Sequence, residues 1–124
     1  MEHLYRIIRH LNDKGMDYTV VEFDVKSETK DNYIVMDDLG GDKTKRIPKL
    51  SLNKPSASDF AFEAMSKVWV KAEDIEEGKQ AVKDAIEKVC DSKIEYARRL
   101  GEAFAQRKKD MATIRRDVGR RYDA

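Results

Sequence analysis

The feature that most constrains this chain is a seam of apolar residues that persists from Ile75 almost to the last residue: Ile75, Val82, Ile86, Val89, Ile94, Ala97, Leu100, Phe104, Met111, Ile114, Val118 and Tyr122. With the two seven-residue steps counted double, 47 residues are crossed in 13 intervals of 3.6 residues each. That is the turn of an α-helix. A strict heptad would give 3.5 and a left-handed two-stranded rod, whereas 3.6 keeps the seam on one side of a straight helix and suits packing in a bundle or against a partner. No proline follows Pro55 to interrupt it. A helix over residues 74–121 would span about 72 Å at 1.5 Å per residue, against a radius of gyration of about 14 Å for a compact chain of this length. Asp91-Ser92 is the candidate break, since Ser92 and Glu95 have capping-box spacing, but without Gly or Pro there continuity is expected. A stripe of this length exceeds what a small body can cover. Association follows, with a second copy or a heterologous protein, and Val82, Ile86, Val89, Leu100, Phe104, Met111 and Ile114 are the candidate packing residues.

The residues before the seam read as a mixed α+β body. Leu4, Ile7, Ile8 and Leu11 recur at helical spacing, which predicts a short amphipathic helix from Met1 to Asn12, stopped by Gly15. Tyr18 to Val25 alternates Thr19, Val21, Phe23 and Val25 with more polar neighbours, a half-buried strand pattern. Two polar turns then separate Tyr33 to Asp37 from Lys43 to Leu52, where Pro48 marks an edge or bulge. The expectation is a three-stranded antiparallel meander in a domain over residues 1–53, a Pro/Ser linker over 54–58, and a helical region over 59–124. Ser56 and Asp59 supply a helix-start signature, and Phe60, Ala64, Met65, Val68 and Trp69 continue it. Val68-Trp69-Val70 reads almost equally well as a strand. Within the meander, Tyr33 to Gly40 followed by Arg46-Ile47-Pro48 resembles part of an SH3-like small barrel over about a quarter of the chain. That resemblance implies Tyr18, Tyr33 and the basic third strand as contact residues.

Catalytic and metal chemistry is poorly supplied. No nucleophile elbow, zinc-protease pair, C-x-x-C or phosphate-loop motif occurs, and Gly40-Gly41-Asp42-Lys43 has the spacing of a hairpin turn. His3 and His10, seven residues apart on a helix, would lie about 10.5 Å from each other, too far to share an ion. Glu22, Asp24, Asp37, Asp38 and Asp42 face Lys43, Lys45, Arg46 and Lys49 across neighbouring strands and read as a charge-paired surface. The single Cys90 cannot close an internal disulfide and reads as a buried small hydrophobe. With no apolar run of membrane-spanning length and no signal-peptide pattern, a cytoplasmic protein without cofactor, metal or small-molecule substrate is expected.

Charge is unevenly distributed. The chain carries 25 Lys plus Arg against 24 Asp plus Glu, yet residues 1–57 are neutral, residues 58–91 carry a net −4 and residues 92–124 a net +5. Arg98, Lys109, Arg116 and Arg120 fall in one row opposite the seam, the form of a phosphate-tracking face. Alternatively, Glu73, Asp74, Glu76 and Glu77 of one helix could meet Arg115, Arg116, Arg120 and Arg121 of an antiparallel copy. The primary expectation is a non-catalytic, oligomeric interaction module acting as adaptor, regulator or inhibitor of a partner protein. A nucleic-acid-binding regulator is the alternative.

Overall fold

A computed structural model describes residues 3–37 and 43–122, with side chains as far as residue 113. Six antiparallel strands, β1 (His3–Asn12), β2 (Gly15–Glu28), β3 (Asn32–Met36), β4 (Thr44–Pro48), β5 (Ser56–Phe60) and β6 (Glu63–Val70), precede one helix, α1 (Ile75–Tyr122). The strands form a single curled sheet in the order β4-β3-β2-β1-β6-β5. Contacts divide the chain into two units, Met1–Cys90 and Asp91–Ala124.

The expected N-terminal helix is therefore a strand, and the reason lies in two-sided burial. Leu4 and Ile7 are fully buried, but three residues apart on a strand they point to opposite faces. Leu4 joins Phe23, Tyr33, Val35, Ile47 and Trp69 on one face of the sheet. Ile7 joins Val68, Val70 and Val82 on the other. A strand with a core on each side thus carries apolar residues three apart and imitates helical spacing. Pairing fixes the alternative: β1 is bonded along its length to β2, with Leu4 opposite Phe23, and to β6, with Ile7 opposite Val68.

The three-stranded meander is likewise corrected to six strands, and the 54–58 linker runs into β5. Residues 59–70, expected to be helical, form the β5–β6 hairpin. Their period-two pattern is visible in β6, where Ala64, Ser66, Val68 and Val70 are buried and Glu63, Met65 and Lys67 are exposed. The turn hides the hairpin from sequence, because it places Ala61 at φ 53° where no glycine, asparagine or proline announces it. By contrast, the β1–β2 turn is legible. Gly15 adopts φ 123° and the Lys14 N–H donates to Asn12 Oδ1, the Asx geometry such a reversal uses.

Helix α1 begins after a 3-10 turn at Ala72–Asp74 and stays unbroken through Asp91-Ser92. Its first turns cover the β1–β6 face with Ile75 and Val82. Ile86 is buried as well. Gly78 permits the approach: a Cβ there would stand 2.7 Å from Ile7 Cδ1 and 2.9 Å from Val70 Cγ1. Burying each large aliphatic side chain of this layer stabilises the unit by about 1.5–3 kcal/mol. The other face, inside the curl, is closed by Trp69 tilted against Phe23 at 4.9 Å. The Arg6 guanidinium lies over Phe23, and Lys45 stands 6.0 Å from the Trp69 ring. The turn after β4 is tied to the same strand by the Asn53 N–H donating to the Trp69 carbonyl.

Candidate interaction surfaces

The structure separates the expected packing residues into two groups. Val82 packs with Ile7, Val68 and Val70 of the sheet and Ile86 is buried, so both are closed to any partner, and Val89 is half-buried. Beyond Cys90 the seam is bare, with Ile94 69%, Leu100 43%, Phe104 61% and Met111 57% exposed. At 100° per residue, Ile94, Ala97, Leu100, Gly101, Phe104 and Met111 fall within an arc of about 120°, the width of a helix face that packs. Lys108 falls inside this arc, where its long stem can lie along the apolar surface with its charge in water. Arg107 places its guanidinium over the Phe104 ring. Ile114, Arg116 and Arg120 lie outside the residues whose side chains are described.

The basic row is less available than its spacing suggests. Arg98 donates to Glu95 from both Nε and Nη2, at 3.0 and 2.5 Å, and to Glu102 from Nη1 at 2.6 Å. Arg99 donates to Glu95 as well. These bonds raise the Arg98 pKa and hold the Glu95 carboxyl below the usual carboxylate range. A guanidinium gripped by two carboxylates has little to offer a phosphate. Lys109 is exposed on the same helix.

His3 Nδ1 sits 3.1 Å from Glu22 and 3.0 Å from Asp24, while His10 Nε2 sits 3.3 Å from Glu63 on β6. The two histidines point to opposite faces, because a seven-residue separation on a strand is an odd one. Asp38, Gly40, Gly41 and Asp42 lie outside the described residues. Tyr33 is a core residue, and Tyr18, 44% exposed, carries the Arg9 guanidinium 4.0 Å above its ring. The tyrosines implied by the small-barrel resemblance thus lie on different sides of the sheet. Cys90 is half-buried.

No protein-family model, no curated protein and no solved structure matches the chain. Among the described residues, no helix is long and apolar enough to cross a membrane.

Sequence reasoning missed the β5–β6 hairpin as a surface. Its tip presents Phe60 at 82% and Phe62 at 99% exposure, and every residue of β5 is exposed. The available signal was the alternation in β6 noted above.

Proposed function

We propose that the chain is a non-catalytic assembly module, whose helix past Cys90 packs against a helix of another chain. One observation carries this reading: Ile94, Leu100, Phe104 and Met111 form a face of large apolar side chains that water covers. Contiguous exposed apolar surface of this kind marks an interaction site. A helix of this length also has little reason to keep so regular an apolar stripe unless the stripe is buried in use. The preferred partner is a second copy of the chain.

Sedimentation of the full chain against Leu100→Asp and Phe104→Asp tests it. The native chain is expected to sediment as a larger species than either variant, each of which stays folded but loses association through the helix. Trp69, the single tryptophan, lies in the core of the first unit, whereas both substitutions fall in the second, and its emission reports folding of the first. A native chain that remains monomeric at high micromolar concentration refutes the proposal.

A further inference from the structure

The two edges of the sheet differ in how they are guarded. An edge strand offers a row of unpaired backbone N–H and C=O groups, and natural proteins blunt it with lysine, proline or a bulge. Strand β4 is guarded in this way, for it carries Lys45, Arg46 and Pro48 and is flanked by Lys43 and Lys49. Strand β5 has the sequence Ser-Ala-Ser-Asp-Phe, with no basic residue and no proline inside it, and all five residues are exposed. It pairs regularly with β6 on one side, from Ser56 opposite Lys67 to Phe60 opposite Glu63.

We infer that β5 is the edge at which two copies of this chain pair, antiparallel, about a two-fold axis at Ser58. The occupant follows from register. Pro55 stops the ladder three residues before Ser58, and Ala61, turned into the left-handed region, stops it three residues after. A two-fold at Ser58 therefore uses all five residues, setting Ser56 opposite Phe60 and Ala57 opposite Asp59. No like charges then oppose each other, which an antiparallel pair requires. Shifting the axis one residue toward the tip sets Asp59 against Asp59. Shifting it the other way sets Asp59 against Pro55 and leaves Phe60 unpaired. The centred register also lays each exposed Phe60 over the small Ser56 of its mate, giving one of the two bare phenylalanines a surface to cover. An isologous contact of this kind closes on itself. This pairing does not depend on the helix seam of the proposed function, and the two surfaces can be tested apart.

The test uses the full chain with Cys90→Ser, so that an introduced thiol is the only one. Residues directly opposite in an antiparallel ladder have Cα atoms about 4.5–5.5 Å apart, within disulfide reach. Under mild oxidation at low micromolar concentration, Ser58→Cys is expected to give a covalent dimer at least ten times faster than Lys26→Cys, an exposed control on β2. The crosslink is expected to persist when Leu100→Asp is added. With Cys90 retained, Ser58→Lys, which opposes two ammonium groups on the axis, is expected to weaken the edge-mediated dimer of the Leu100→Asp chain at least tenfold, and Ser58→Thr to preserve it. Equal crosslinking at Ser58 and Lys26, loss of the Ser58 crosslink in Leu100→Asp, or indifference to Ser58→Lys each overturns the inference. Failure of the helix proposal reads differently: the Ser58 crosslink remains while Leu100→Asp leaves sedimentation of the native chain unchanged.

Discussion

Residues 75–90 and 91–113 of α1 carry apolar side chains at the same helical spacing, yet their surroundings are opposite. In the first stretch Val82 and Ile86 are sealed and Ile75 packs with Ile7, Val68 and Val70. In the second, Ile94 and Phe104 are more than half exposed. Periodicity establishes that a face is apolar, and it carries no information about what covers the face. The glycines make the distinction that periodicity cannot. A Cβ on Gly78 would meet Ile7, Val70 and Val68, whereas a Cβ on Gly101 would meet nothing within 4 Å.

The largest break in this comparison is a cavity. Ile86→Ala is expected to cost about 2–5 kcal/mol by chemical denaturation, because the Ile86 side chain is fully buried. Leu100→Ala, measured on dilute chain where association is absent, is expected to fall within about 0.5 kcal/mol of native, as a surface substitution does. Comparable losses at both positions would mean that the second stretch is also held within the chain.

The glycine pair sharpens the contrast with a change of sign. Alanine favours a helix over glycine by about 1 kcal/mol. At Gly101 that gain is unopposed, and Gly101→Ala is expected to raise helical content and stability. At Gly78 the added methyl group must displace Ile7 Cδ1 and the stiff Val70 side chain, an overpacking cost of about 1–3 kcal/mol. Gly78→Ala is therefore expected to lower the melting temperature. Equal shifts in the two variants would show that the helix is not seated as closely on β1 and β6 as Gly78 implies.

Next in size is the effect on association, where the two stretches separate most clearly by assay. Phe104→Asp is expected to leave Trp69 emission and unfolding of the first unit unchanged while reducing the size of the assembly seen in sedimentation. Val82→Asp is expected to abolish the folded signal outright, since it places an unpaired carboxylate in an apolar layer.

The helix was written in its period, and its continuity through Asp91-Ser92 followed from the absence of Gly or Pro. Strands β2 and β3 were readable because one face is buried and the other wet. Strand β1 was not, since Leu4 and Ile7 serve opposite cores and their spacing of three copies a helix. The β5–β6 hairpin was lost to its turn, where Ala61 holds a conformation usually given to glycine, and to Ser56 and Asp59, which carry helix-cap chemistry in a strand. The candidate seam was legible as a stripe. Its division at Cys90 was not, because which turns of a helix meet the sheet is set by Gly78 and the strands it touches, all distant in sequence from the seam's far end.

The smallest expected effect concerns charge, and it compares the two units once more. In the first, Lys49 bonds Glu28 at 2.6 Å and lowers its pKa; in the second, Arg98 and Arg99 lower that of Glu95. A carboxyl whose pKa is lower folded than unfolded contributes stability at neutral pH that is lost as pH falls through the folded value. Glu28→Gln is therefore expected to lower the melting temperature of the first unit at pH 7 slightly and to match native in strong acid. Glu95→Gln is expected to act on the second unit alone, reducing far-ultraviolet helical signal at neutral pH with the same convergence in acid. Both differences are expected to shrink with added salt, since both pairs are solvent-exposed. A deficit that grows as pH falls would reverse the sign and show that these carboxylates are held up rather than down.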